Sequence, residues 1–263
     1  MRLAVLSDIH GNLTAFEAVL ADLEAQGGAD HTWFLGDLAA FGPRPAECVQ
    51  RVKAIVETVK DDEQKKHTIR VIRGNTDRYL IYGQRPKSVA AKDTETYEKL
   101  RRDLHEFDAR IGWCLDQLSF DDYDFLHKLG SEIDLFVENY GWVIAYHGVP
   151  GDDESMALTP DSSDEEAADA LLDREGRLAI GGHTHRQMNR SIGLWQVINV
   201  GSIGFPFDNP GKAQYAIFTF DENGEIQVDL RAIDYDFESV IADSQARSNP
   251  STDWLTRTLR RSS

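Results

Sequence analysis

The chain opens Met1-Arg2-Leu3-Ala4-Val5-Leu6-Ser7-Asp8-Ile9-His10-Gly11-Asn12, an apolar run that breaks off into a carboxylate, an imidazole, a glycine and a carboxamide. Leu3 to Leu6 read as a short strand buried on both faces, the pattern of a central parallel strand. In open α/β sheets ligands sit beyond the carboxyl ends of the strands, which is where Asp8 and His10 fall. Alternate residues of extended chain point the same way, so Asp-x-His aims a carboxylate and an imidazole at one point, a start for a metal site. One such pair also has a bland explanation, with Asp8 capping the next helix and His10 an ordinary turn residue.

The same ending recurs downstream. Residues 14–26 place Phe16, Val19, Leu20 and Leu23 on one helical face and stop at Gly27-Gly28. A second buried strand at 32–35 ends in Gly36-Asp37, and after the Gly42-Pro43-Arg44-Pro45 turn residues 46–60 form a helix with Val49, Val52, Ile55, Val56 and Val59 inward. A third strand at 69–72 ends in Arg73-Gly74-Asn75-Thr76-Asp77. Three successive β-α units predict an α/β sheet.

From Arg78 to about Lys128 the strand rhythm gives way to charged, helical sequence. The predicted element is a helical cap inserted near the site, at about 79–130, with Leu100, Leu104, Phe107, Ile111 and Leu115 forming its inward stripe. Its aromatic residues are expected in the core rather than against a ligand. Strands resume at 133–137 and 142–146, the latter followed by His147-Gly148; an acidic loop spans 151–164, and a helix 165–174. Residues 178–180 lead into Gly181-Gly182-His183-Thr184-His185. The alternating segments 194–200, 214–220 and 226–233 predict a second, mainly antiparallel sheet packed on the first. The expected organisation is one domain over 1–243 and a polar tail, an exposed helix or partly disordered, over 244–263.

Composition narrows the function. The formal charge of −17 argues against extended contact with a nucleic-acid backbone or an anionic membrane, both of which need clustered Lys and Arg. A small anionic substrate stays compatible if a metal supplies local positive charge. The apolar stretches are strand-sized and no basic-then-apolar leader precedes the first strand, so a soluble cytoplasmic protein is expected. Cys48 and Cys114 are far apart and lack ligand spacing, the pattern of buried thiols in a reducing compartment. Exposed strand edges leave a homo-oligomer open.

Taken together, the strand ends read Asp8-x-His10, Gly36-Asp37, Gly74-Asn75-x-Asp77, His147-Gly148 and Gly182-His183-x-His185, and four of the eight histidines fall there. Turn chemistry does not explain five such endings. The set resembles the signature of the calcineurin-like metallophosphoesterases, and Gly36-Asp37 with Gly42-Pro43-x-Pro45, together with Asn199-Val200-Gly201-Ser202, is most similar to their small bacterial and archaeal phosphodiesterase branch. The resemblance spans residues 1–220. It implies a two-sheet β sandwich flanked by helices, with a dinuclear metal centre at one edge. Asp8, His10 and His185 would then hold one ion, Asn75, His147 and His183 the other, and Asp37 would bridge them. It also implies a bridging water, deprotonated near neutral pH, as nucleophile towards phosphorus.

Mixed imidazole and carboxylate donors suit transition metals: two divalent ions are expected, manganese first, with iron, nickel, cobalt or zinc as alternatives. Asp37, Asn75, Asp77 and His147 are the expected catalytic residues, Asp77 acting from behind the ligands. Asn12, Thr76 and Arg44 are the expected substrate contacts, with Arg186 a further candidate.

Two departures from the resembled pattern bear on the substrate. Thr76 stands where many relatives have a histidine that helps protonate the leaving group, and a threonine cannot act as an acid near neutral pH. That favours diesters with good leaving groups over monoesters. Phe205-Pro206-Phe207-Asp208 occupies a run where relatives often carry Gln and Arg. The expectation is a metal-dependent phosphodiesterase for a small or nucleotide-like diester. The alternatives are a phosphomonoesterase or dinucleoside polyphosphate hydrolase of the same superfamily, and a non-catalytic interaction protein on this fold.

Overall fold

The computed structural model describes residues 1–261. The first half follows the predicted rhythm: β1 (Arg2–Leu6), α1 (Leu13–Ala25), β2 (His31–Phe34), α2 (Pro45–Glu57) and β3 (Ile69–Val71). β1 pairs in parallel with β2, and β2 with β3. Period-two alternation decides where β1 packs: Leu3 and Val5 enter the core between the sheets, while Ala4 and Leu6 face the helical layer. Phe16, Val19 and Leu23 of α1 and Val49 and Val52 of α2 complete that layer. α2 stops at Glu57, short of the predicted end, and residues beyond it run in turns.

Three helices follow: α3 (Asn75–Tyr82), α4 (Thr94–Gln117) and α5 (Phe120–Lys128). The expected stripe of α4 is corrected in its last turn. Leu115 is 41% exposed, and Cys114 is the buried residue. Ile111, Cys114 and Leu118 join the helical core at three- and four-residue spacing. A buried cysteine acts as a small hydrophobe, so residue size misleads here.

The second sheet is built from β4 (Glu132–Val137), β5 (Gly141–Tyr146), β6 (Leu178–Gly181), β7 (Gln187–Ile192) and β8 (Trp195–Val200), with α6 (Asp164–Asp169) between β5 and β6. β9 (Lys212–Phe220) and β10 (Ile226–Asp234) return to the first sheet. The orders are β10-β9-β1-β2-β3 and β4-β5-β6-β8-β7. The architecture is the expected α/β sandwich, but the assignment of strands differs from expectation. β9 and β10 extend the first sheet by pairing β9 antiparallel with β1. The second sheet is mixed, because β5-β6 and β6-β8 pair in parallel. Strand alternation reports which face is buried and leaves the pairing partner open. β7 reads Gln-Met-Asn-Arg-Ser-Ile, too polar to announce itself.

The polar tail is also corrected. α7 (Phe237–Ala246) and α8 (Thr252–Leu259) bury Val240, Ile241, Leu255 and Leu259 around Phe205. Residues 262–263 of the expected tail lie outside the described residues. Cys48 and Cys114 are free and buried in the helical layer, and burial raises both thiol pKa values. Among the described residues no helix is long and apolar enough to cross a membrane.

Candidate metal centre

Asp8 and His10 follow β1, Asp37 follows β2, Asn75 begins α3 just past β3, His147 follows β5, and His183 and His185 follow β6. All of these strands end on one edge of the sandwich. Asp8, His10, Asp37, His183 and His185 have φ between 50° and 65°. Left-handed backbone is uncommon outside glycine, and Asp and His are among the residues that tolerate it. Held strain of this kind clusters at functional sites.

The neighbouring glycines let the strand ends approach closely, within a sheet at Gly74 and between the sheets at Gly182. A Cβ on Gly182 would lie 2.0 Å from Ser7 Oγ and 2.6 Å from Asp8 Oδ2. A Cβ on Gly74 would lie 2.2 Å from Asp37 Oδ1. Backbone bonds stitch the strand ends together, with Asp8 N donating to Gly36 O at 3.1 Å and His10 N to Asp37 O at 2.8 Å. Asn199 and Ser202 hold the frame from behind: Asn199 Nδ2 donates to Gly182 O, and Ser202 Oγ donates to Asp8 O at 2.9 Å.

The imidazoles are oriented individually. His10 Nδ1 lies 3.1 Å from Ala40 O, His147 Nδ1 2.6 Å from Leu35 O, and His185 Nδ1 2.7 Å from Phe205 O. A carbonyl only accepts, so each Nδ1 carries a proton, and Nε2 is the atom whose lone pair an ion would take in place of a second proton. Those Nε2 atoms converge. His185 Nε2 is 3.1 Å from Asp8 Oδ1, His10 Nε2 is 3.5 Å and His147 Nε2 3.4 Å from Asp37 Oδ2. Asn75 Oδ1 stands 3.0 Å from His147 Nε2 and 3.0 Å from His183 Nδ1.

This donor set fits cations. The Nε2 atoms of His10 and His185 face each other at 3.1 Å, a contact that a metal ion or a proton between them reconciles. Asp8 Oδ1 is buried with no hydrogen-bond partner. Ligand atoms of Asp8, His10 and His185 lie within 4.8 Å of one another, as do those of Asp8, Asp37 and His147. Asp8 therefore belongs to both groups. Burial alone would raise the Asp8 and Asp37 pKa values, but the surrounding imidazoles outweigh it and hold both low. Burial works against charging His147, yet Asp37 and Asp8 draw its pKa up to about 10, and Asp8 chiefly raises His185 against the same penalty. His183, with burial and the neighbouring His147 against it, falls to about 4.

Asp77 stands behind the cluster. Its carboxylate accepts from Asp37 N at 2.7 Å, Leu38 N at 3.0 Å and Gly74 N at 3.1 Å. Burial first and the Asp37 charge second raise its pKa to about 7. Thr76 N donates to Asp37 Oδ1 at 2.9 Å, while Thr76 Oγ1 is buried without a partner.

The other expected substrate contacts are corrected. Asn12 is 0% exposed and caps α1: its Oδ1 accepts from Ala15 N at 3.1 Å, and its Nδ2 donates to Gly204 O at 3.1 Å and Tyr235 OH at 3.0 Å. Every polar atom of its amide is committed. Arg44 is turned to the C-terminal helices, bidentate on Asp243 at 2.6 and 2.8 Å. Arg186 pairs with Asp161 on the surface.

Two cavities flank the cluster. One, of about 290 Å³, has candidate ligands and Thr76 at its floor and aromatic walls that include Phe41, Tyr79, Phe107, Phe207 and Trp254. The cap therefore places Phe107 against the site, contrary to the expectation that its aromatics serve the core alone. The other, of about 760 Å³, reaches His147 and is lined by Arg73, Arg78, Arg85 and Lys87 together with Asp152, Asp153 and Glu154. Arg78 pairs with Asp153 and Glu154, and Lys87 with Asp152. Arg73 and Arg78 flank the Gly74-Asn75 motif, a signal available in the sequence; the aromatic walls carry no motif at all.

Comparison with known proteins places the chain in a family. A model of the calcineurin-like phosphoesterase superfamily domain matches residues 1–223. The uncharacterized protein MJ0912 of Methanocaldococcus jannaschii is 28% identical over 270 residues, covering 96% of this chain and 95% of its own. Phosphodiesterase YfcE of Escherichia coli K12 is 36% identical over 85 residues, 29% of this chain and 40% of YfcE. The crystal structure of a metallophosphoesterase from Sphaerobacter thermophilus superposes with a TM-score of 0.66 at 23% identity, covering 98% of both chains, a likeness of fold.

Proposed function

The chain belongs to the calcineurin-like phosphoesterase superfamily, and from that premise we propose that it is a dinuclear metal-dependent phosphodiesterase hydrolysing a small or nucleotide-like diester. The observation that carries the reading is the orientation of three imidazoles: His10, His147 and His185 each give Nδ1–H to a backbone carbonyl and turn Nε2 towards the Asp8 and Asp37 carboxylates. Outer hydrogen bonds of this kind fix the tautomer and ring of metal-ligating histidines.

Asp8, His10 and His185 would hold one ion, and Asn75, His147 and His183 the other, with Asp37 shared and Asp8 close to both. When bound, two divalent ions make water nucleophilic at neutral pH and neutralise phosphoryl oxygens as charge develops. Manganese is placed first, because carboxylate and carboxamide oxygens accompany the imidazoles and no thiolate is present.

The chain's own residues do the positioning. Thr76 Oγ1, buried and unpartnered at the start of α3, is a donor for a phosphoryl oxygen, and the positive end of the α3 dipole adds to it. Asp77 keeps the Asp37 and Leu38 amides fixed and so holds Asp37 in place. Apart from the candidate ion ligands, no side chain on the floor of the aromatic cavity is suited to protonate a poor leaving group as the histidine of the resembled motif would, which supports diesters with good leaving groups. The name of YfcE supports the same choice. Buried free thiols fit a reducing compartment, and the cytoplasm is the proposed location.

The test is hydrolysis of bis(4-nitrophenyl) phosphate and 4-nitrophenyl phosphate by chelated protein reloaded with Mn, Ni or Mg. The diester should be preferred and activity should return with metal. A preference for the monoester would overturn the diester reading.

A further inference from the structure

The walls of the smaller cavity come from five separate parts of the chain: Phe41 from the β2–α2 loop, Tyr79 of α3, Phe107 of α4, Phe207 from the β8–β9 loop and Trp254 of α8. Three observations set these rings apart from ordinary core. Phe41 has φ 84°, a conformation that a bulky residue adopts under constraint. The constraint comes from the C-terminal segment: Asn249 Nδ2 donates to Phe41 O at 2.9 Å, and the Phe41 ring lies 5.4 Å from His10 and 5.6 Å from Trp254. Phe207 stacks on His185, with centroids 4.7 Å apart and planes at 22°, yet is 41% exposed. Across the cavity Tyr79 and Phe107 meet edge to face at 5.6 Å.

The connection between α3 and α4 divides the two cavities by simple alternation. Pro86 lines the aromatic one, whereas Arg85 and Lys87 line the charged one. Apart from the candidate ion ligands, the aromatic cavity has no charged side chain in its lining. Its volume of about 290 Å³ is at the small end of small-molecule sites and suits one ring system.

We propose that this slot receives a planar, uncharged ring, an aryl group or a nucleobase, carried by the ester whose phosphorus lies at the ion cluster. The occupant is planar because the walls are aromatic faces and edges, for which stacking supplies contact without hydrogen-bond readout. It is uncharged because no side chain in the walls ion-pairs, and two of the rings, Tyr79 and Trp254, already carry the guanidiniums of Arg78 and Arg110 as cation–π partners. It belongs to the substrate because floor and walls are one cavity, so a group in the slot sits next to His10, Asp37 and Thr76. The proposal rests on the phosphodiesterase reading only for the location of phosphorus.

The test separates the two. Binding of phenylphosphonate and methylphosphonate to the Mn-loaded full chain is measured by calorimetry for the wild type, Phe207→Ala and Phe107→Ala, with thermal melts confirming that each is folded. Rates with phenyl 4-nitrophenyl phosphate and methyl 4-nitrophenyl phosphate, which share a leaving group, are measured alongside. Phenylphosphonate should bind about tenfold tighter than methylphosphonate in the wild type, and the ratio should fall towards one in both variants. The KM ratio of the two diesters should move in parallel. Equal binding of the two phosphonates by the wild type, no binding of either, or a phenyl preference untouched in both variants would overturn the slot. A phenyl preference that vanishes in the variants, with neither diester hydrolysed, would uphold the slot and remove the phosphodiesterase reading.

Discussion

The floor and the walls of the aromatic cavity are made in opposite ways. Each floor residue sits within five residues of the end of a β-strand, and most are held by local devices: a glycine that allows close approach, a left-handed backbone, a carbonyl on the far ring nitrogen. The walls are contributed by two loops and three helices, and nothing in their local sequence distinguishes them from core aromatics. On the proposed roles, ion binding belongs to the sheet edges, whereas selection of the organic group belongs to how the helices pack on them. Floor substitutions should therefore abolish turnover and wall substitutions should redirect it.

The largest effect is expected for Asp37→Asn. An amide keeps an oxygen for the bond from Thr76 N but loses the charge two ions would share, so kcat should fall by about a thousandfold or more. Bound metal, counted by atomic emission, should fall with it while the metal-free protein melts as before. Retention of two ions and normal turnover would break the distinction between floor and walls. Asp8→Asn should lose metal in the same way before it loses the fold.

Next in size is Gly182→Ala. Its new Cβ would lie 2.0 Å from Ser7 Oγ and 2.6 Å from Asp8 Oδ2, both on short side chains that are fully buried. Displacing them should cost about 1–3 kcal/mol of stability and move Asp8 enough to lower kcat about a hundredfold. Chemical denaturation and kinetics on one preparation check both. An unchanged kcat would mean that the close approach of the sheets is not what places Asp8.

Trp254→Ala tests the wall. The ring packs on Phe205 at 5.1 Å and on Phe41, so some stability is lost, about 2 kcal/mol for a half-buried indole. The kinetic signature is a KM for an aryl diester raised about tenfold with kcat nearly kept, whereas a floor residue would show the reverse. Smaller still is Asn12→Ala. Loss of the α1 cap and of the bond to Gly204 should cost about 2 kcal/mol, with KM unchanged because the amide does not reach the cavity. A raised KM would return Asn12 to the substrate contacts.

The same contrast explains what was legible in the sequence. Asp8, His10, Asp37, Asn75, His147, His183 and His185 could be found because an apolar run ending in a polar pair is a local pattern, and five repetitions of it point to one edge. Trp254, Phe207 and Phe41 meet only after the chain has folded, and the polarity of residues around Trp254 concealed that the tail helix is packed, with Leu255 and Leu259 inward at four-residue spacing. Asn12 and Arg44 misled for a related reason. Each stands immediately before a helix, Asn12 before α1 and Arg44 before α2, but the neighbouring elements claim its polar atoms, Gly204 and Tyr235 in one case and Asp243 in the other. The pairing of β9 with β1 likewise depends on which edge the chain returns to, which alternation does not specify.

Arg44→Met gives the smallest effect and the clearest sign. Arg44 holds Asp243 in a two-bond fork and reaches Glu47 at 3.1 Å, and the pair ties the start of α2 to α7. Burial acts to raise the Asp243 pKa, but the bonds and charge of Arg44 and Arg247 prevail and lower it. A carboxylate whose folded pKa is depressed contributes its stability above the unfolded value, about 3.9, and loses it as pH falls through the folded one. The arginine is more than a third exposed, so solvent screening limits the loss at pH 7 to about 0.5–1 kcal/mol. That loss should shrink as the pH drops below about 4, where wild type and variant converge, and it should shrink in high salt at any pH. kcat and KM should stay at wild-type values, since Arg44 lines neither cavity. A KM that rises for every diester alike, with stability unchanged, would place Arg44 at the phosphate after all and remove the clean separation of a chemical floor from a selective wall.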